Sequence, residues 1–233
     1  MKIEVKKNIL ATNASAATAN RERLKTHGVC MVNVMASPGA GKTSVIVKAI
    51  ESIRKRLNLA VIEGDIASEI DSLTIEAMDI PAIQINTGGG CHLTAAMIST
   101  ALDHVDLEAL DLIIIENVGN LVCPAEFDLG ESARLIITSI AEGHDKPHKY
   151  PLVFRKADAI LVNKIDLLPY CDFDLAQFRQ VVLGINPDAA IIELSCKDGY
   201  GVDECCHWLE GRADIVLAKL KSRTDTVHTD LKR

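Results

Sequence analysis

The stretch ASPGAGKTS, residues 36–44, constrains the fold of this chain more than any other. It lies between an apolar run, VCMVNVM (29–35), and a segment that places Ile46, Ile50, Ile53 and Leu57 on one helical face. A glycine-rich turn between strand and helix, closed by Gly-Lys-Thr, is the context a phosphate-binding loop requires. Gly39 and Gly41 let the backbone curl, so that N–H groups from Gly39 through Ser44, that of Ala40 included, face phosphate oxygens. Lys42 can neutralise the β- and γ-phosphates, and the Thr43 hydroxyl can reach Mg²⁺. Ala36 stands where the usual pattern has glycine, and a small residue there still allows the turn.

The rest of the chain conforms to a strand–loop–helix plan. Strand candidates are LAVIEG (59–64), PAIQIN (81–86), DLIIIEN (111–117), ARLIITSI (133–140), DAILVN (158–163) and AAIIEL (189–194). Most are apolar on both faces, as buried parallel strands are. Helix candidates fall near 44–57, 68–78, 92–105, 174–184 and 202–221. The alternation predicts an α/β protein of the P-loop NTPase class, with a mostly parallel central sheet flanked by helices. Residues 1–28 read as an N-terminal extension, in which Ile3 and Val5 permit a short strand before a helix that ends at Gly28. Residues 29–221 form the nucleotide-binding domain, and 222–233 form a polar, frayed tail.

A second motif specifies the base. NKIDL (163–167) follows a strand, and a carboxylate there can accept from both the N1–H and N2–H of guanine. Adenine offers no such donor pair, so Asp166 discriminates GTP from ATP. Asn163 and Lys164 would brace the loop and cover the ring. Ser195, Cys196 and Lys197, after the last strand, can supply a backbone N–H to the guanine oxygen. Hydrolysis to GDP and phosphate needs Mg²⁺ and an oriented water. Asp65 and Glu116 end strands where either can serve, with their separate roles open. Gly119, three residues beyond Glu116 in ENVG, takes the place of the glycine whose N–H contacts the γ-phosphate.

The cysteines add another chemistry. Seven cysteines at irregular spacing do not read as a disulfide set. Cys91 and His92 follow three glycines in NTGGGCHLTAAM, and Cys123 lies in ENVGNLVCPAEF. Two thiolates and an imidazole suit zinc or nickel. If their strands are neighbours, both segments sit at the ligand-binding end of the sheet. Three ligands are an incomplete set, which a symmetric dimer can complete. The alternative is two buried thiols and a helix-capping histidine. Cys205, Cys206 and His207 are a rival set, but successive helical residues point about 100° apart and cannot converge on one ion. Cys30 reads as core, Cys171 carries no clear signal, and His104, His144 and His148 read as surface residues.

Composition narrows the partners. A net charge of −7 argues against nucleic acid. No stretch reaches the roughly 20 apolar residues of a membrane span. MKIEVKKNIL lacks the apolar core of a signal peptide, so a cytoplasmic location is expected.

Together SPGAGKT, EGDIAS, QINTGGGCHL, IIIENVGNLVCPAEFDLG, DKPHKYP and LVNKIDLLPY resemble the HypB GTPases of nickel–iron hydrogenase maturation. The resemblance covers nearly all of 20–210. It implies a SIMIBI-type GTPase fold whose members dimerise on nucleotide. It implies a nickel or zinc site at the dimer interface, made by Cys91, His92 and Cys123 of both chains. It also implies nickel delivery to the hydrogenase large subunit with a HypA-type zinc protein as partner, docked on the segment of Ile3, Val5 and Leu10. The pattern is incomplete in one respect. Residues 1–29 contain no cysteine and one histidine, so no separate N-terminal nickel site carries over. The related GTPases of urease maturation share the phosphate and guanine motifs, but their Cys-Pro-His metal motif is not found. Two other readings compete: a regulatory GTPase switch with structural cysteines and no metal cargo, and a P-loop kinase, for which an arginine-rich lid is missing.

Overall fold

The computed structural model describes residues 5–64, 75 and 77–230, and the side chains of 8–64, 75 and 77–222. Seven strands form one sheet: β1 (Cys30–Ala36), β2 (Leu59–Glu63), β3 (Ala82–Gln84), β4 (Leu112–Glu116), β5 (Ala133–Ser139), β6 (Ala159–Asn163) and β7 (Ala190–Glu193). Their order is β3-β2-β4-β1-β5-β6-β7, and every pair is parallel. Seven parallel strands put every C-terminal strand end on one edge. The register brings Glu63 and Val34 alongside Glu116 there, and Ser139 alongside Asn163.

Helices cover both faces. α1 (Val5–His27) precedes the sheet, and α2 (Lys42–Ile53) follows β1. α3 (Ala95–Leu102), α4 (Cys123–Glu126), α5 (Lys146–Lys149), α6 (Pro151–Arg155) and α7 (Leu175–Ile185) follow in chain order, and α8 (Val202–Asp230) closes the fold. Val32, Val34 and Ala36 of β1 pack toward α2 and α8, beside Ile46, Ile50, Ile53, Cys205 and Leu209. The opposite face holds two apolar clusters. Met31 and Ile113 join Leu24 of α1 and Ile98 of α3, while Met35 and Ile160 join Phe154 of α6 and Phe178 of α7. Between them, on the same face of β1, lies a buried asparagine, Asn33.

Three expectations need correction. Val5 opens a helix rather than a strand, while Ile3 lies outside the described residues. α1 is polar along most of its surface, and the stripe it buries is Asn13, Ala17, Asn20 and Leu24, which no hydropathy pattern marks. The final helix does not stop at 221 but continues to Asp230, because a polar helix end shows no apolar period. The helix expected over 68–78 falls almost wholly outside the described residues. β3 and β4 are also not neighbours, since β2 runs between them.

Candidate nucleotide and metal sites

The phosphate loop leaves the middle of the sheet and turns into α2. Gly39 and Gly41 have φ of 77° and 96°, a region open to glycine but strained for other residues. Gly41 also has no room for a side chain, since a Cβ would lie 2.5 Å from Asn163 Nδ2. Asn163 and Lys164 brace this loop directly. Asn163 Nδ2 donates to the Ala40 carbonyl at 2.9 Å, and Lys164 Nζ donates to the Gly39 carbonyl at 2.7 Å. Lys164 itself holds φ at 60°, backbone strain tolerated where the surroundings fix it. Lys42 is buried at the start of α2. The Thr43 hydroxyl donates to Glu116 Oε1 at 2.9 Å, so the two groups proposed for Mg²⁺ meet. Asp65 lies outside the described residues.

A cavity of about 640 Å³ opens beside this loop. Gly41, Thr43 and Ser44 line one end, and Asp166, Cys196 and Lys197 line the other. Val47, Lys48 and Leu167 supply walls that sequence reasoning did not single out. Asp166 is oriented by a buried hydroxyl, for Ser195 Oγ donates to its Oδ1 at 2.9 Å. Lys197 Nζ lies 3.7 Å from its Oδ2. Ser195 spends its own N–H on the Tyr200 carbonyl, and the Lys197 N–H on Ser195 Oγ. Burial raises the pKa of the Cys196 thiol, so it is an uncharged wall.

The loop after β4 runs from the phosphate site to the cysteines. A Cβ on Gly119 would lie 3.4 Å from Lys42 Nζ and 3.2 Å from Pro38 Cγ, so glycine permits the close approach. Four residues on stands Cys123. One ligand atom from each of Cys91, His92 and Cys123 lies within 4.8 Å of the others, the one such group of three or more among the described residues. Metal–donor lengths of about 2.0–2.3 Å fit donors so spaced around one ion. Cys91 is exposed and Cys123 half-buried, so the set faces outward. The Cys91 pKa is raised, first by hydrogen bonding with the Cys123 thiol and then by burial. Burial lowers the His92 pKa, which favours the neutral imidazole a metal takes. The His92 ring lies 3.9 Å from that of Phe127.

The two loops meet although β2 separates their strands. Asn120 Nδ2 donates to the Cys91 carbonyl at 3.2 Å. Asn117 Oδ1 accepts from Leu93 N and from Val118 N, at 3.4 and 2.9 Å. Both asparagines stand in the quoted ENVGN string, but no pattern of spacing assigned them a task. The glycine triplet makes a tight turn, in which Gly90 N donates to the Thr87 carbonyl and Gly88 N to Asn86 Oδ1. Lys146 was also missed, although it lies in the DKPHKYP string. Its Nζ donates to Ser37 Oγ of the phosphate loop at 3.2 Å. Cys205 and Cys206 are core residues of α8, while His207 is exposed. His104 and His148 are exposed, and His144 accepts from Asp174 N.

Comparison with known proteins places this arrangement. Residues 30–193 match the CobW/HypB/UreG nucleotide-binding domain family. The hydrogenase maturation factor HypB of Azotobacter chroococcum mcd 1 is 43% identical over 227 residues, covering 97% of this chain and 73% of that protein. The crystal structure of HypB from Archaeoglobus fulgidus superposes with a TM-score of 0.83 at 39% identity, covering 87% of this chain and 99% of that one. That of HypB from Helicobacter pylori in complex with nickel also gives 0.83, at 34% identity, covering 87% and 95%. No helix among the described residues is long and apolar enough to cross a membrane. A phosphate loop, a nucleotide-sized cavity and a Cys-His-Cys group on one sheet edge thus coincide with the relationship by sequence and fold: the chain belongs to the HypB hydrogenase maturation factors of the CobW/HypB/UreG nucleotide-binding family.

Proposed function

We propose that the chain is a GTP-hydrolysing nickel metallochaperone that helps insert nickel into the hydrogenase large subunit. One observation carries the reading. The segment from Glu116 to Cys123 passes Lys42 at Gly119 and ends in a residue of the Cys-His-Cys group. A group that senses the γ-phosphate and a group that holds metal thus share eight residues of chain.

Asp166, held by Ser195, is set to take the N1–H and N2–H of guanine. Cys196 is the candidate backbone donor to the guanine oxygen, since its two neighbours use their N–H groups elsewhere. Gly39 through Ser44 cradle the phosphates, with Lys42 on the β- and γ-oxygens. Thr43 and Glu116 would hold Mg²⁺, which when bound would neutralise charge on the transferred phosphoryl group. Water attacks the γ-phosphorus, the bond to the β-γ bridging oxygen breaks, and GDP and phosphate leave. Asp65 remains a candidate for orienting that water.

Cys91, His92 and Cys123 hold nickel as cargo, and zinc is the competitor that their donor chemistry admits. Three donors from an outward-facing site leave room for a second copy to complete the coordination. Val122 beside Cys123 is 55% exposed, an apolar side chain that such a contact would cover. The exposure of Cys91 disfavours a purely structural thiol. A HypA-type protein is the proposed nickel-exchange partner, and the free thiols suit the reducing cytoplasm.

Equilibrium dialysis of nickel and zinc, with GDP and with a non-hydrolysable GTP analogue, tests the reading on wild type and Cys91→Ala. Metal binding that depends on nucleotide and disappears in the variant is expected. Binding indifferent to both would overturn the metal switch.

A further inference from the structure

α1 contributes none of the proposed ligands, yet its buried stripe includes two asparagines, Asn13 and Asn20. Asparagine is a poor helix former, and its amide is costly to bury unless hydrogen-bonded. The partners of these amides explain their presence. Asn13 Oδ1 accepts from Ala95 N at 2.8 Å, and Asn13 Nδ2 donates to the Asp128 carbonyl at 2.6 Å. Asn20 Nδ2 donates to the Ala95 carbonyl at 2.8 Å and to the Leu129 carbonyl at 3.0 Å. Each amide therefore spans the same two stretches of chain. One stretch follows Cys91 and His92, and the other follows Cys123.

Both sides of the Ala95 backbone are held by α1, and Ala95 is the first residue of α3, where a helix leaves N–H groups without an internal partner. On the other stretch, Phe127 precedes Asp128 and lies against His92. Arg21, next to Asn20, adds a further tie, to the second stretch alone. Its guanidinium contacts both oxygens of Asp128 at 2.7 and 2.8 Å. By contrast, the segment on the other side of Cys91 is the glycine triplet, whose turn is closed by hydrogen bonds within residues 86–90. The separation of Cys91 and His92 from Cys123 is thus fixed in part from behind, by a helix that supplies none of the three.

We propose that Asn13 and Asn20 are positioning residues for the metal site, so that α1 sets metal affinity by clipping its two ligand-bearing segments together. This rests on the reading of Cys91, His92 and Cys123 as metal ligands. A force that tilts α1 away from Ala95 and Leu129 loosens the ligand set without touching the nucleotide pocket.

The test compares full-length wild type, Asn13→Ala, Asn20→Ala, Arg21→Ala and Cys91→Ala. Cobalt(II) and nickel(II) are titrated alone, and the thiolate-to-cobalt charge-transfer band reports how many cysteines are engaged. GDP affinity and thermal unfolding are measured on the same samples. Loss of a hydrogen-bond partner of a metal ligand typically weakens binding by about 10–100-fold, and these amides act one step further from the ion. The expected result for each asparagine variant is a loss at the lower end of that range, with a weaker thiolate band and unchanged GDP affinity. Arg21→Ala removes a half-exposed tie, leaves no buried amide unpaired, and keeps the test open if an asparagine variant fails to fold. It should show the same change in smaller degree. Unaltered affinity and spectrum in folded asparagine and arginine variants, with binding abolished by Cys91→Ala, would sink the clip and leave the metal site standing. Wild-type binding insensitive to Cys91→Ala would remove the metal site and the clip with it.

Discussion

Asp166 shows how much one side chain can decide. Its carboxylate is fixed by the Ser195 hydroxyl and faces the cavity beside the phosphate loop. In Asp166→Asn an acceptor becomes a donor, and the amide then opposes the N–H groups of guanine. Hydrogen bonds to a charged group contribute about 1.5–3 kcal/mol each, so GTP affinity should fall on the order of 100-fold or more. Xanthine carries a carbonyl where guanine has its amino group, so xanthosine triphosphate should bind the variant better than GTP does. Competition against labelled GDP measures both. This residue was legible because its short motif is paired with a phosphate loop and its chemistry is specific. Asn117 was not, although it sits in a quoted string. Its amide oxygen bridges Leu93 and Val118, a long-range contact that no local spacing reveals.

At the scale of elements, α1 departs furthest from what its sequence suggests. The parallel strands announce themselves as unbroken apolar runs, since both of their faces are covered. α1 buries amides as well as alkyl groups, so its inner face looks like its outer one. Its ion pair with the body of the protein gives a pH signature. Burial works against ionising Asp128, but the Arg21 guanidinium and the Gly130 N–H outweigh it, and its pKa falls below the ordinary 3.8. A carboxylate whose folded pKa is depressed contributes stability that is complete above the unfolded value and is lost as pH falls through the folded one. Acid below about pH 4 should therefore loosen the α1 attachment before the strands at the sheet's centre. Hydrogen exchange of α1 amides against those of β1 checks this, and Asp128→Asn should flatten the dependence. Because the pair is half-exposed, the effect is expected to be modest.

For the whole molecule, the fold would make the proposed metal binding and stability one quantity. The proposed ligands come from two segments that meet only when β2, β3 and β4 are in place. An ion that binds the folded chain alone, at 100 times its Kd, adds about 2.7 kcal/mol. For a chain of this size that corresponds to a rise in Tm of roughly 5–10 °C. Differential scanning calorimetry with and without nickel should show the rise in wild type and none in Cys91→Ala. An equal rise in both would place the stabilising ion elsewhere. The sheet and the positions of the phosphate loop and the NKIDL loop could be foreseen at this scale from alternation and motif. The meeting of the loops that carry Cys91 and Cys123 across β2 could not, since the sequence does not state strand order.

That strand order also governs how the chain is born. β1 and β2 are consecutive in sequence but not adjacent in the sheet, and β4 inserts between them. As the polypeptide leaves the ribosome, Val32 and Val61 each wait for Ile114. At roughly 5–20 residues per second, that leaves β1 without a strand partner, and β2 with β3 alone, for several seconds. The strand that finally joins them also carries Glu116 at its end, with Gly119 and Cys123 close behind. One insertion therefore joins β1 to β2 and brings the proposed phosphate sensor and metal group into place, before β5, β6 and β7 extend the sheet. A nascent chain halted before residue 112 holds none of the three, and its exposed valines and isoleucines make it a client for chaperones.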